Sequence, residues 1–491
     1  MKRPLRLLLA VALSPVALAT CYYGYENWTG FLEWQQARSA LIEDGEPLRI
    51  DSLRPGALAD EDNMATAPVF REFFTLGNLS KLPLSEVRLP SQNGPGSEPA
   101  VRVIRLAHRF EESFSGDTRD AAQVVLNGLA PFEPVLDALA AAANRPEAIW
   151  PVALSPDRGF QIPVLPPLLR SAEVFSARGV AALAAGDHAA AAADFDIITR
   201  LATRSNDPPL MAGCMASARI LDQAVSLVEQ GLLLDAWTDD DLRHISQRLA
   251  GQRPLDTFRD SLRGERALFF EFSDEMTEQT APMFTIIDFR SKLAEHVTRT
   301  FCTVLWKARP SGWANRDRAA YARLSQEWLT LVIHRDFIRP WALASWHARL
   351  REIRRDPLLL FQMPVTATTL PTFASAARSA AYAQTRIDLA RIACAIELHR
   401  RQTGRLPADL ATLSPGILRS IPRDVVGGGK YAYRPTGARS YVLYGRGWNG
   451  RDDGGTAGGS NPLLGPPSAK DWVWETGRLL TADSTDLNPT P

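Results

Sequence analysis

The first 46 residues combine a basic flank, an uncharged apolar run and an amphipathic continuation. The opening MKRPLR is followed by a run from Leu7 to Tyr25 that contains no charged side chain. That run is close to the ~20 residues that a helix needs to span a bilayer. The basic flank predicts a cytoplasmic N-terminus, and the aromatic residues up to Trp28 are typical of a membrane interface. We therefore predict that residues 1–46 form a single-pass inner-membrane anchor that extends as a helix into a periplasmic body.

Two other interpretations of this segment remain open. A cleaved signal peptide would have a shorter apolar region and small residues at its cleavage site, which the letters ALAT match in part. The letters LATC also resemble a bacterial lipobox, which would make the protein a lipoprotein with its lipid on Cys21. All three interpretations place the body outside the cytoplasm.

Residues 47–100 show no sustained periodicity. They are rich in Pro, Gly, Ser and Asp, with short apolar pieces such as PVFREFF. Because the Phe side chains need a place of burial, we predict an irregular segment that packs against the body rather than a free linker.

Residues 101–365 have apolar positions three and four apart over most of their length, which predicts an α-helical domain. The stretch ARGVAALAAGDHAAAAADFDIITRLA indicates two Ala-rich helices around a Gly-Asp turn. It is similar to one tetratricopeptide unit, but an array would repeat at about 34 residues, so an ordinary helical hairpin is the alternative. Further along, Thr238 or Asp239 is expected to cap a helix N-terminus.

The pattern changes near residue 365, where prolines interrupt the helical periodicity. For residues 366–476 it predicts a long helix ending at Gly404, two strands in KYAYRPTGARSYVLYGRG and a closing strand in DWVWE. Residues 477–491 are expected to be a disordered tail. The predicted fold is mainly α: an N-terminal membrane helix, an irregular helical body and a small C-terminal α+β domain with a long helix and a short antiparallel sheet.

The charge balance argues against a nucleic-acid partner, and the cysteine spacing argues against a zinc finger or a disulfide framework. The 491 residues include 55 basic and 55 acidic side chains, so no global positive field would attract nucleic acid, and we expect no nucleic-acid partner. The four cysteines, Cys21, Cys214, Cys302 and Cys394, lie far apart and form no CxxC pair. Their spacing matches neither a zinc finger nor a disulfide framework.

Motifs for catalysis are weak. HRD at 334–336 resembles a kinase catalytic loop, but Trp341 stands where that loop needs Asn. GGGK, which ends at Lys430, lacks the other residues of a phosphate-binding loop, and there is no HExxH or GxSxG motif.

Carboxylates and tryptophans offer two further candidate sites. Glu265, Glu271 and Glu275 recur at helical intervals and could do acid–base work, although a solvated helix face is the expectation. A Trp-rich stretch between Trp306 and Trp346 is expected in the core rather than in a ligand cage.

The C-terminal part resembles the globular half of type II secretion major pseudopilins. The shared order is a long helix, G-x-x-P, P-x-D, a Y-x-Y strand, a strand leading to a Gly-Asp-rich loop, and a closing Asp and Trp. The matches are Gly404, Pro407, Leu413, Pro422, Asp424, Tyr431, Tyr433, Tyr441, Gly450, Gly454, Gly455, Asp471 and Trp474. The whole layout also resembles membrane-anchored envelope proteins of planctomycete and verrucomicrobial bacteria.

The resemblance implies a calcium site in the glycine-rich loop. Major pseudopilins bind calcium there, and the positions that match or could substitute are Asn449, Asp452, Asp453 and Asp471. Carboxylate, amide and backbone oxygens all suit Ca²⁺. Gly445 stands where a pseudopilin has serine, and the loop is longer than the family pattern. The alternative is a glycine turn with solvated aspartates.

The N-terminus departs from the pseudopilin pattern, because it has no prepilin peptidase site and no Glu in its apolar run. We therefore expect a protein that carries the module rather than a pilus subunit. The first hypothesis is a non-enzymatic, membrane-anchored envelope protein, a scaffold for envelope partners linked to type II secretion or pilus-like machinery. The alternative is an extracytoplasmic hydrolase or carbohydrate-binding enzyme with its site in the helical body.

Overall fold

The structure is a computed structural model that describes residues 2–54, 56–75, 84, 87, 99–152, 154, 162–280, 306–334, 337–456 and 470–474. Two sequence predictions fall wholly or largely elsewhere. They concern the second half of the 47–100 segment and the tail at 477–491. Cys302 also lies outside the described residues.

The chain is mainly helical with a small three-stranded antiparallel sheet, as predicted. The α-helices are α1 (Lys2–Glu43), α2 (Pro68–Thr75), α3 (Pro99–Phe110), α4 (Thr118–Leu129), α5 (Glu133–Ala143), α6 (Leu165–Ala185), α7 (His188–Arg204), α8 (Met211–Leu233), α9 (Asp239–Ala250), α10 (Pro254–Thr280), α11 (Gly312–Glu327), α12 (Ala344–Arg355), α13 (Pro357–Gln362), α14 (Pro364–Thr369) and α15 (Pro371–Thr403). The strands are β1 (Ile333–His334), β2 (Phe337–Ile338), β3 (Ala432–Pro435), β4 (Tyr441–Gly445) and β5 (Trp472–Val473).

The second half of α1 packs along α11, and the two helices run parallel. Near the start of α11, the Asn27 side chain accepts a hydrogen bond from the Gly312 amide at 2.8 Å. Near its end, the Gln326 amide group donates to the Asp44 carboxylate at 3.1 Å. The stretch between is filled by small apolar side chains, namely Ala37, Leu41, Ala319 and Ala322.

The first half of α1 projects away from this contact. Every side chain from Ser14 to Tyr25 is exposed, and Leu18 is 70% exposed, whereas Glu26 is only 7% exposed. On the face of α1 away from α11, the rings of Trp28 and Phe31 stack at 6.2 Å and stay exposed. From Ser14 to Tyr25 the helix is therefore not covered by the rest of the body.

The helices α6 and α7 form the predicted Ala-rich hairpin. Gly186 adopts φ +88°, which favours glycine and ends α6. Asp187 caps α7 by accepting a hydrogen bond from the Ala190 amide at 3.0 Å. Thr238 similarly caps α9, as predicted, and its side chain accepts from the Asp241 amide.

The long helix α15 ties the C-terminal residues to the rest of the chain. Its first part, around Phe373 and Ala380, lies in one apolar core with residues of α10, α11 and α12. Its second part, around Ile387 and Ile396, lies in another core with α6, α7 and α8. Gly404, with φ +77°, ends the helix as predicted. The apolar packing thus continues across residue 365.

The three-stranded sheet has the order β3-β4-β5, and both pairings are antiparallel. Tyr433 lies opposite Leu443, and Tyr444 lies opposite Val473. The short hairpin of β1 and β2 reaches this region, because the Ile338 amide donates to the Val425 carbonyl at 2.7 Å.

Of the described residues, the stretch Thr118–Ala143 is long and apolar enough to cross a membrane by length and composition. It comprises α4, a 3-10 turn and α5, and one face packs in the core through Val125, Leu129 and Leu136. Core helices commonly share this composition, so the finding is weak evidence of a span. The predicted span at 7–25 falls partly on side chains outside the described set and stays a prediction.

Candidate functional site

The glycine-rich loop begins at the end of β4, where space admits only glycine. A Cβ at Gly445 would lie 2.8 Å from the Tyr431 ring and 3.1 Å from the Thr385 side chain. A serine, as in the pseudopilin pattern, would collide with both groups. At this position β4 therefore packs tightly on α15.

Three glycines set the path of the loop itself. Gly450, Gly454 and Gly455 have φ between +69° and +74°, a region that disfavours other residues. The loop turns first where the Gly450 amide donates to the Gly447 carbonyl at 2.9 Å. It turns again at Gly454 and Gly455, and this second turn is fixed by carboxylates.

The side-chain oxygens of Asn449 and Asp452 accept hydrogen bonds from backbone amides of the loop itself. The Asn449 Oδ1 accepts from the Arg451 amide at 2.8 Å, and the Asp452 Oδ1 accepts from the Gly454 amide at 3.0 Å. Asp452 also accepts from the Tyr444 hydroxyl at 2.9 Å. The Gly454 amide, followed by the Tyr444 hydroxyl, holds the pKa of Asp452 below its usual value. These are turn contacts of the kind that Asn and Asp side chains commonly make.

Asp471, which directly precedes β5, binds two amides of the loop. It is 1% exposed, and its Oδ2 accepts from the amides of Asp453 at 2.9 Å and Gly455 at 2.8 Å. Burial raises the pKa of Asp471, and the two amides oppose that rise. Its Oδ1 is also buried and has no hydrogen-bond partner among the described residues. Such an atom is costly unless water or a cation pairs with it.

Asp424 is a second buried carboxylate at the same loop. It is 1% exposed; its Oδ1 accepts from the Val426 amide at 3.0 Å and its Oδ2 from the Arg446 amide at 2.9 Å. Burial raises the pKa of Asp424 to about 6, and the charge of Asp471 adds to the rise. The sequence showed Asp424 only as part of a P-x-D match and did not indicate this role.

Only three of the four predicted calcium ligands are joined by hydrogen bonds. The Asn449 side-chain amide donates to the Asp453 carboxylate at 2.9 Å, and Asp453 lies against Asp471 through its backbone. Asp452 points to Tyr444 instead. Within the described ranges no group of three or more His, Cys, Asp or Glu side chains is placed to hold a metal ion.

An aromatic side chain from the helical body covers the loop. A Cβ at Gly450 would lie 2.5 Å from the Trp341 ring, and one at Gly427 would lie 2.9 Å from it. Trp341 is nevertheless 52% exposed, unlike Trp306, Trp328 and the other tryptophans of its stretch, which are buried as expected. The loop is thus held between Trp341 and Asp471.

A buried ion pair that the sequence did not predict joins α15 to α8. Arg386 is 5% exposed and Glu229 is 6% exposed, and the Arg386 Nη2 donates to Glu229 Oε2 at 2.8 Å. A second bond joins Nη1 to Oε1, and Nε donates to Asp222 at 3.3 Å. The guanidinium also lies 5.5 Å from the centre of the Trp474 ring. The pair therefore binds both α15 and the end of the sheet to the body.

Asp388 forms a second polar contact under the same helix. Its Oδ2 accepts from the Tyr431 hydroxyl at 3.0 Å, and its Oδ1 lies 3.6 Å from the Arg391 Nη1. Burial raises the pKa of Asp388 to about 7, although Arg391 and the Tyr431 hydroxyl oppose the rise. This carboxyl group sits inside the packing rather than at an open surface, since Asp388 is 5% exposed.

The helical-interval glutamates do not share one solvated face. Glu265 accepts from the Met211 amide at 3.0 Å, and burial raises its pKa, so the expectation is wrong for this residue. Glu271 lies 3.4 Å from Arg49, and Glu275 is exposed. These glutamates differ because α10 packs against several other helices. The spacing of residues within α10 does not show which of its faces are covered.

Comparison with known proteins adds no relative. No protein-family model matches the chain. No curated protein and no solved structure matches it either.

Proposed function

We propose that this protein is a membrane-anchored envelope scaffold. In this proposal α1 is a single-pass inner-membrane helix with a cytoplasmic N-terminus, and the body lies in the periplasm. The observation that carries the proposal is α1 itself. It runs without a break from Lys2 to Glu43, exposes every side chain from Ser14 to Tyr25 and binds the body through its second half.

The dimensions of α1 fit this role. At 1.5 Å per residue, the uncharged run from Leu7 to Tyr25 would be about 28 Å long. The hydrocarbon core of a bilayer is about 30 Å thick. The exposed Tyr22, Tyr25 and Trp28 would then lie at the interface. A lipid on the exposed Cys21, the alternative, would hold the same end of the body at the membrane.

The scaffold role rests on how firmly the C-terminal α+β domain is fixed. The Arg386–Glu229 pair and the shared core would keep its surface in one orientation relative to the membrane. A fixed surface supports docking, because little conformational entropy is lost when a partner binds. The resemblance to pseudopilins favours envelope partners from type II secretion or pilus-like machinery.

Calcium belongs to the same proposal as a structural ion. The site would use Asn449, Asp452, Asp453 and Asp471, with the buried, unpaired Oδ1 of Asp471 as its main support. A cation there would stabilise the Asp453–Gly455 turn by neutralising neighbouring carboxylates. Asp452 would have to leave the Tyr444 hydroxyl to join the ligands.

Site-specific photo-crosslinking in intact cells tests the scaffold. A crosslinker at the exposed Arg434 of β3 should trap an envelope protein, and one at the exposed Arg119 of α4 should trap much less. A defined adduct at 434 that contains a secretion or pilus-like component supports the proposal. Failure to trap any envelope protein from the exposed positions of the C-terminal domain would contradict it.

A further inference from the structure

Exposed arginines lie near the end of the body from which α1 emerges. Because α1 and α11 run parallel, the N-terminal end of α11 lies at the end of the body from which α1 projects. The two helices are level there, since the Ser311 hydroxyl donates to Asn27 Oδ1 at 3.2 Å and Trp313 Nε1 donates to Glu26 at 2.9 Å. Residues 306–310 directly precede this end of α11 in the chain.

The helix α13 lies at this same end. The Trp306 ring meets the Phe361 ring edge to face at 5.4 Å. Leu358, one helical turn before Phe361, is 53% exposed although it is apolar. Arg309, whose guanidinium covers the Trp306 ring at 4.1 Å, adds a positive charge beside this contact.

Three arginines at the end of α12 adjoin the exposed leucine. Arg351, Arg354 and Arg355 are exposed, and within the described residues none is joined to a carboxylate by a salt bridge. Asp356, the nearest acid in sequence, uses its carboxylate to cap α13 by accepting from the Leu358 and Leu359 amides. An open groove of about 690 Å³ is lined by Ala348, Arg351, Glu352, Arg355, Asp356 and Pro357.

We propose that this basic–apolar surface, comprising Arg351, Arg354, Arg355 and Leu358, binds anionic phospholipid headgroups of the membrane that holds α1. The inference rests on the proposed anchoring by α1. Clustered arginines next to a membrane helix suit anionic headgroups, and Arg forms paired hydrogen bonds to phosphate oxygens. An exposed leucine beside them suits the boundary between headgroups and acyl chains.

This contact would give the body a second attachment to the membrane. With α1 alone, the body could tilt about the interface near Glu26. With the basic–apolar surface seated on headgroups, the C-terminal domain would be presented at a constant height and orientation. The attachment would weaken at high ionic strength, because its main component is electrostatic.

Hydrogen exchange of the full chain in lipid nanodiscs tests the proposal. Phosphatidylglycerol added to phosphatidylcholine discs should slow amide exchange in α12 and α13 about fivefold or more, and ~0.5 M salt should reverse this. A triple variant, Arg351→Gln, Arg354→Gln and Arg355→Gln, should lose the effect. The matched control, Arg405→Gln with Arg419→Gln and Arg423→Gln, changes three exposed arginines beyond the far end of α15 and should keep it.

Three results would overturn the inference. Exchange in α12 and α13 could be the same in both lipids, the control variant could lose the effect equally, or inorganic phosphate with phosphatidylcholine discs could give the same protection. Each would leave the anchor intact, because the protein would still enter the discs. A chain that did not enter discs at all would instead contradict the proposed anchoring, and this inference with it.

Discussion

Gly30 of α1 and Gly312 of α11 meet backbone to backbone. A Cβ added at Gly30 would lie 2.1 Å from the Gly312 carbonyl oxygen, and one at Gly312 would lie 2.2 Å from the Glu26 carbonyl oxygen. Both clashing atoms belong to the backbone, so no side-chain rotation can relieve either clash. The pair therefore sets the closest approach of the projecting helix to the body, at the point where α1 would leave the membrane.

The first prediction concerns this approach. Gly30→Ala should force α1 away from α11 and lower the free energy of unfolding by about 2 kcal/mol or more, measured by denaturant unfolding in detergent micelles. Gly24→Ala is the matched control, since nothing lies within 4 Å of its added Cβ and alanine favours helix. Equal stability of the two variants would show that the Gly30–Gly312 contact does not form.

The second prediction concerns the buried ion pair. Arg386→Ala or Glu229→Ala should each lower the free energy of unfolding by about 3–5 kcal/mol, because one charge is left buried without its partner. The double variant should cost much less than the sum of the two, which a double-mutant cycle measures. Arg243→Ala, which breaks an exposed pair with Asp240, is the control and should cost under about 1 kcal/mol. Simple additivity of the two core variants would refute the pairing.

The third prediction is a pH dependence. Burial raises the pKa of Asp388 to about 7 in the folded chain, above the unfolded value of about 3.9. The folded state therefore binds more protons between these values, and this group's contribution to stability falls as pH rises from about 4 to about 7.

Asp388→Asn removes the titrating group and can still accept from the Tyr431 hydroxyl. The variant should gain stability relative to the parent by about 2 kcal/mol more at pH 8 than at pH 5, measured by denaturant unfolding at both values. Asp240→Asn, at a carboxylate with a side chain 96% exposed, serves as control and should track the parent. A constant difference between Asp388→Asn and the parent would rule out the raised pKa.

The fourth prediction concerns the loop cation. Calcium at about 100 times its dissociation constant should raise the stability of the full chain by about 2.7 kcal/mol, seen as a higher melting temperature than with chelator. Asp471→Asn should remove most of that rise, while its remaining oxygen can still accept from the Gly455 amide. Asp240→Asn should keep it. An equal melting temperature with calcium and with chelator would contradict calcium binding at the loop.

Local features of the fold were readable from the sequence. Gly404 ends α15 and Thr238 caps α9 because both roles depend on a residue's own backbone angles or on an amide three residues away. The Gly-Asp turn at Gly186 is local in the same sense. The mainly helical class followed from periodicity, which is also a short-range signal.

Contacts between distant segments of the chain could not be predicted from the sequence. Glu265 was expected on a solvated face, but its amide partner, Met211, lies on α8. Arg386 and Glu229 are far apart in sequence, and nothing in either helix marks them as partners. At the loop, the pattern indicated either a calcium site or a glycine turn with solvated aspartates. The two hydrogen bonds from loop amides to Asp471 depend on how β5 pairs with β4, which the pattern does not show.

The topology of the uncleaved chain in cells tests whether α1 anchors the protein in the membrane. Membranes should be washed with alkaline carbonate, and spheroplasts from the same cells should be treated with protease. We predict that the chain keeps its first 20 residues, stays in the washed membranes, and loses its body but not an N-terminal tag to the protease. The Cys21→Ser variant should behave identically. A body released by carbonate, a mature N-terminus after the apolar run, or loss of membrane attachment in Cys21→Ser would contradict the account.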